Sequence, residues 1–217
     1  MSCHSSNTKD IPNNGELKIL LIGNPNVGKS VIFSKLTGVH VDSSNYVGTT
    51  VDYTIGDINF GKRKGVIIDV PGTYSLEATS EAERVAVGLL EEGADAIIYV
   101  LDATHLERNL DLAYKLKEYP IPVIYSLNLI DVAERQGINI DVDKLSEELG
   151  SPVIPTIAIK NIGLMDLMNK SIELSQTTKE PSPKLDDEER WKKINIVLTQ
   201  YNLGGVWIQV NLVSLKY

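Results

Sequence analysis

Cysteine is almost missing: Cys3 is the only one in 217 residues, which excludes a disulfide framework and a thiolate metal cage. Long hydrophobic runs are missing too. No apolar stretch reaches about 18 residues, so nothing reads as a membrane-spanning helix. Basic charge is in deficit, with 21 Lys and Arg against 29 Asp and Glu for a net charge of −8. From Gln176 onward there are six basic and five acidic residues, so residues 1–175 carry −9. An acidic body repels a phosphate backbone at long range, which argues against nucleic acid as a partner. It leaves room for a single nucleotide held by local geometry. His40 and His105 lack partners at ligand spacing, and no Ser/His/Asp or Cys/His arrangement suggests nucleophilic catalysis. Residues 1–15 are polar, lack the apolar core of a secretory signal, and read as a disordered leader.

What is present is ordinary globular material, 42% apolar and 23% charged. The length suits one sizeable domain plus an appendage. A body of about 160 residues hides about 70% of its unfolded surface and needs no staples. Leu17 to Ile22 is an apolar run of strand length, and Lys29 to Leu36 is helix-compatible with Gly38 beyond it. Val39 to Thr50 reads as a long loop. Val51 to Phe60 and Val66 to Asp69 read as a hairpin around Gly61–Gly65. Then helices alternate with strands. Ser80 to Glu92 opens on a capping box (Ser80, Glu83), followed by a strand at Ala96 to Leu101 and a helix at Leu106 to Glu118. A strand at Pro122 to Leu127, a helix at Asp141 to Leu149, a strand at Val153 to Ile157 and a helix at Leu164 to Ser175 complete the series. The expected class is α/β of the P-loop NTPase kind: a mainly parallel six-stranded sheet, one antiparallel edge strand, helices on both faces. Residues 16–175 form that domain, 176–185 (with Pro181 and Pro183) a linker, and 186–217 a short appendage, helical over Asp186 to Gln200, with an alternating stretch at Val206 to Leu215.

Gly23-Asn24-Pro25-Asn26-Val27-Gly28-Lys29-Ser30 fits the phosphate-loop pattern and stands between a strand and a helix. Its glycines let backbone N–H groups curl around a β-phosphate at the positive end of a helix. Lys29 would bridge the β- and γ-phosphates, and Ser30 would ligate Mg²⁺. Chance gives about one such match per hundred chains of this length. Asn128 and Asp131 follow the Pro122 to Leu127 strand, at the edge where open α/β sheets bind ligands. A carboxylate there accepts both N1–H and N2–H of guanine, a donor pair that adenine lacks. Asp131 would thus select GTP, with Asn128 bonding the base edge and bracing the loop. Asp69-Val70-Pro71-Gly72 ends the hairpin. Asp69 would hold Mg²⁺ through a water, and the Gly72 N–H would reach the γ-phosphate, so that loss of the phosphate releases the segment. Thr50 is the candidate second protein ligand of Mg²⁺, with the adjacent Thr49 as the alternative.

These elements, in this order, resemble those of small translation-factor-type GTPases and, more closely, of the N-terminal G domain of the ferrous iron transport protein B family. The likeness covers about residues 17–175. It rests on the phosphate loop, Asn45 to Val51, Asp69 to Leu76, and Asp102-Ala103-Thr104-His105-Leu106-Glu107-Arg108-Asn109-Leu110. It implies a G domain on the cytoplasmic face of the cell membrane, joined to an Fe²⁺ transporter domain, hydrolysing GTP slowly to control transport. Self-association is left open. Thr73 stands where many GTPases place a water-orienting glutamine and is too short for that role. Relatives with this feature use K⁺ at the phosphates, and Asn26 matches their K⁺-ligating asparagine. Lys29, Asn26, Thr50 and Gly72 are accordingly the expected catalytic set, with GTP or GDP, Mg²⁺ and K⁺ as cofactors. Leu129 replaces the lysine usually found beneath the base. Ile157-Ala158-Ile159-Lys160 replaces the usual Ser-Ala-Lys loop, which keeps the Ala158 N–H for guanine O6 but removes the serine hydroxyl.

Two rival readings are weaker. A ribosome-assembly or RNA-associated GTPase shares the phosphate loop but normally adds a basic domain, and residues 176–217 are only +1. A binding switch with vestigial hydrolysis would use the tail to dock a membrane partner. Glu77, Glu81 and Glu83 read as a solvated helix face, with a cation path near the switch as the alternative. Cys3 and His4 belong to the solvated leader, and Trp191 and Trp207 are expected to pack locally.

Overall fold

The computed structural model describes residues 16–38, 41–46, 48–61 and 63–199. In chain order the elements are β1 (Leu17–Gly23), α1 (Lys29–Leu36), β2 (Val41–Asn45), β3 (Asp52–Phe60), β4 (Arg63–Asp69), α2 (Glu81–Glu91) and β5 (Ala96–Asp102). Then come α3 (Glu107–Leu116), β6 (Val123–Asn128), α4 (Ile130–Arg135), α5 (Val142–Leu149), β7 (Val153–Pro155), α6 (Leu164–Leu174) and α7 (Asp187–Thr199). The sheet order is β2-β3-β4-β1-β5-β6-β7. β3 runs antiparallel to β2 and β4, while β4, β1, β5, β6 and β7 are mutually parallel.

The α/β class and the two-sided helical cover are as expected, but the sheet has seven strands, not six. The extra one, β2, lies inside the segment read as loop. Val41-Asp42-Ser43-Ser44-Asn45 carries one apolar residue and therefore no alternation, yet it pairs along β3 from Val41↔Gly56 to Asn45↔Asp52. An edge strand can be held by backbone pairing, which a hydropathy pattern does not show. The hairpin turn is also tighter than Gly61–Gly65, because Phe60 already pairs with Arg63. The α2 capping box forms as expected. The alternating stretch Val206 to Leu215 and the leader lie outside the described residues.

Parallel register places the functional loops. Leu21 pairs with Asp69, Gly23 with Val100, and Asp102 with Asn128, so β1, β4, β5 and β6 all end at one edge. Successive residues of each central strand enter opposite cores. Leu20, Ile22, Tyr99 and Leu101 pack on the side of α2 and α3, and Ile19, Leu21, Ile98 and Val100 on the side of α1 and α6. Strands buried on both faces are the mark of a parallel sheet with two helical layers.

The tail does not stand free of this body. In α7, Ile194 and Val197 are fully buried in the α2–α3 core, and Trp191 packs against its edge. Arg190, 5% exposed, donates from Nε to Asp111 Oδ1 of α3 at 2.6 Å, from Nη1 to the Leu185 carbonyl at 3.1 Å, and to Asp187. Upstream, Ser182 N–H donates to the Lys117 carbonyl at 2.9 Å, laying the proline-containing connection along the domain. Arg190→Ala is expected to lower unfolding free energy by about 2 kcal/mol, because it removes the buried Nε donor to Asp111 and leaves the Leu185 carbonyl without its Nη1 donor, although Asp111 keeps Lys115. A urea midpoint unmoved by this change would mean that the ion pair adds nothing to docking of α7.

Candidate nucleotide site

The loop Gly23 to Ser30 leaves β1 and turns into α1 through two left-handed residues, Asn26 (φ 67°) and Gly28 (φ 88°). Gly28 is required for two reasons. Its φ is poorly tolerated by side chains, and a Cβ there would overlap Asn128 Nδ2. Asn26 and Ser30 are exposed, while Val27 is buried beneath the loop. Asn24, expected among the binding residues, turns its side chain inward instead. Its Nδ2 donates to the Arg108 carbonyl at 2.8 Å, and the Tyr99 hydroxyl lies 3.2 Å from its Oδ1 and 2.9 Å from the Asn109 carbonyl. Asn24 is 2% exposed, so what it offers a ligand is backbone. The side chain fastens the loop to the start of α3, where Asn109 Oδ1 accepts from the Asp102 N–H at 2.7 Å.

Lys29 Nζ pairs with Asp69 Oδ1. Burial pushes the Asp69 carboxyl up, and the Lys29 ammonium opposes that rise. The rest of the segment abuts the loop: Val70 N–H donates to the Leu21 carbonyl at 3.1 Å, and a Cβ on Gly72 would lie 3.3 Å from Pro25 Cα. Thr73 is buried, and its hydroxyl donates to the Ser75 carbonyl at 2.8 Å, so it is neither long enough nor free to orient a water. Ser30, Asp69 and Thr50 offer oxygen donors only, a set that fits a hard cation such as Mg²⁺. Of the two threonines, Thr49 Oγ1 is tied locally to the Tyr46 and Val51 carbonyls, whereas Thr50 N–H and Oγ1–H both donate to Glu81 Oε2, at 3.1 and 2.7 Å. These bonds hold the Glu81 carboxyl below its ordinary range.

At the other end, Asn128 is a buried clasp. Its Nδ2 donates to the Val27 carbonyl at 3.0 Å, and its Oδ1 accepts from Ala158 N–H at 3.1 Å and from Thr156 Oγ1 at 3.3 Å. The phosphate loop and the loop after β7 are thus joined through one side chain. Thr156 is fully buried, and its hydroxyl also lies 2.8 Å from Ser126 Oγ. Sequence reading missed it. The available signal was a lone polar residue inside the apolar run Val153 to Ile157. Asp131, in the first turn of α4, sits beside this clasp and binds both Lys160 Nζ and Arg135 Nη1 through Oδ2, each at 3.2 Å. Burial would raise its carboxyl, but the bonds from Lys160 and Arg135 hold it below the ordinary range. Lys160 is a second residue not singled out beforehand. Leu129 takes a left-handed φ of 62° and starts α4, a helix too short to leave a periodic signal. Among the described residues no cluster of three or more His, Cys, Asp or Glu forms a metal centre, and no helix is long and apolar enough to cross a membrane.

The family described as Ferrous iron transport protein B matches residues 17–171. The Fe(2+) transporter FeoB of Shigella flexneri is 43% identical over 154 residues, covering 69% of this chain and 20% of that protein. Its counterpart in Legionella pneumophila (strain Paris) is 42% identical over 165 residues, covering 74% and 22%. The chain therefore spans about one fifth of the length of these relatives. Among solved structures, the cytosolic domain of L. pneumophila FeoB superposes with a TM-score of 0.71 at 41% identity, covering 79% of this chain and 68% of that one. The cytosolic domain of the T. maritima FeoB iron transporter in its GDP form II gives 0.73 at 35% identity, covering 79% and 68%. The same domain in its GMPPNP form gives 0.78 at 26% identity, covering 86% and 99%.

Proposed function

The chain belongs to the ferrous iron transport protein B family, and from that premise and the site geometry we propose that it is a GTP-binding, slowly GTP-hydrolysing domain. In the whole protein it would lie on the cytoplasmic face of the cell membrane and regulate passage of ferrous iron through a membrane domain. The observation that carries the nucleotide reading is the Asn128 clasp. It joins the carbonyl of Val27 in the phosphate loop to the loop of Ala158, whose Lys160 binds the Asp131 carboxylate. In this reading phosphate and guanine recognition share one edge of the sheet.

In this reading the amides from Gly23 to Ser30 hold the phosphates. Lys29 exchanges Asp69 for the β- and γ-phosphate oxygens. Ser30, Thr50 and Asp69 would hold Mg²⁺, and Asn26 would hold K⁺; the two cations would supply positive charge at the developing β–γ charge. The Gly72 N–H would donate to the γ-phosphate. Water attacks that phosphorus in line, the bond to the bridging oxygen breaks, and GDP and inorganic phosphate leave without a covalent intermediate. Thr73, buried and bonded to the Ser75 carbonyl, would not orient the attacking water, in keeping with slow turnover.

Two measurements test this. Labelled GDP should bind in Mg²⁺ while ADP at the same concentration does not; equal binding of both would remove the guanine assignment. Hydrolysis should be at least about tenfold faster in KCl than in NaCl, with Asn26→Ala erasing the difference. Equal rates in the two salts would remove the K⁺ role and leave the GTPase reading intact.

A further inference from the structure

Tyr46 and Thr50, which lie between β2 and β3, both contact α2. At one end the Tyr46 ring rests against Gly88, where a Cβ would overlap the ring and its hydroxyl. At the other, Glu81 Oε2 accepts both donors of Thr50. Glu81 and Gly88 are seven positions apart, two helical turns, so both contacts lie on the same face. Tyr46 is also held edge-on by Tyr53, with ring centroids 6.5 Å apart.

Glu81 is not needed to start its helix. Ser80 Oγ accepts from the Glu83 N–H at 3.2 Å, and Glu83 Oε2 accepts from Thr79 N–H at 2.9 Å and Ser80 N–H at 3.3 Å. The helix start is therefore complete without the Glu81 carboxylate, which points instead at a threonine outside the helix. Both Thr50 and its bond to Glu81 are exposed, so burial does not force the contact. An N–H and an O–H converging on one anionic oxygen present the same donor pattern that a phosphate oxygen would receive.

We propose that Glu81 is a positioning residue that holds the Thr50 N–H and hydroxyl, and that it must release the N–H before this can donate to a γ-phosphate and the side chain before its oxygen can turn to Mg²⁺. This rests on the reading of Thr50 as the cation ligand. Diphosphate makes no demand on Thr50, so the carboxylate weighs against triphosphate alone.

The test is the ratio of affinities for a non-hydrolysable GTP analogue and for GDP, both with Mg²⁺, in the full chain. Glu81→Ala should raise the ratio about three- to tenfold, and Glu81→Gln, which keeps one acceptor without the charge, by less. In the nucleotide-free chain, Glu81→Ala should speed hydrogen exchange at the Thr50 amide. The effect on the ratio should vanish in a Thr50→Ala background. An unchanged or lower ratio in Glu81→Ala, an equal rise in the Thr50→Ala background, or unaltered exchange at Thr50 overturns the proposal. Thr50→Ala separates the two claims. If it lowers the ratio while Glu81→Ala is neutral, the role of Glu81 fails alone. If it leaves the ratio unchanged, the ligand role of Thr50 fails and takes that of Glu81 with it.

Discussion

Asn128→Ala is expected to weaken GDP binding by about a hundredfold or more and to destabilise the chain by about 2–3 kcal/mol, since buried polar groups left unpaired cost about 1–3 kcal/mol each. Three groups lose their partner at once: the Val27 carbonyl at 3.0 Å, the Ala158 N–H at 3.1 Å and the Thr156 hydroxyl at 3.3 Å. Thr156 keeps Ser126, which limits the stability loss. The binding loss is expected to be larger because the side chain holds the phosphate loop and the loop of Ala158 together. Gly28 is moulded to the same amide, so the phosphate loop loses the surface against which it is packed. Asn128→Asp should be no better. It cannot donate to the Val27 carbonyl and would set two acceptors against each other. A urea midpoint and a GDP titration decide the matter. Lost stability with unchanged GDP affinity would make Asn128 a structural brace only.

What could be read from residues alone was whatever depends on short spacing. The phosphate loop, the capping box of Ser80 and Glu83, and the strand–helix alternation all depend on neighbours within a few positions, and each appears where expected. What could not be read depends on contacts across the fold. β2 is made by pairing with β3 rather than by its own residues. The inward turn of Asn24 requires Tyr99 and the Arg108 carbonyl, both more than seventy positions away. Glu81 and Gly88 look like ordinary helix-surface and helix-interior positions until the loop of Tyr46 and Thr50 is laid on them. Glycine inside a helix costs about 0.5–1 kcal/mol against alanine, and that cost was the one local hint of a close approach. Likewise α7 carries only a weak apolar stripe, and its burial becomes evident through Arg190 reaching Asp111.

Asp131→Asn is expected to cut the preference for GDP over xanthosine diphosphate by about a hundredfold or more, consistent with the value of one bidentate base contact. A carboxylate accepts from both N1–H and N2–H of guanine. Xanthine has a carbonyl in place of the amino group, and two acceptors would then face each other. A carboxamide accepts from N1–H and donates to that carbonyl, so the variant should exchange one base for the other rather than simply lose binding. Lys160 and Arg135 sharpen the expectation. Both donate to Oδ2 of Asp131, each at 3.2 Å, and favour its charged form. The wild-type preference for guanine should therefore be lost on acidification at a lower pH than an unpaired aspartate would give. Lys160→Ala removes one of these donors and should move the loss of guanine preference to higher pH, without the exchange of base that Asp131→Asn produces. If Asp131→Asn lowers affinity for both diphosphates equally, the carboxylate supports α4 and its neighbours instead of reading the base, and guanine selection must come from the amides around Ala158.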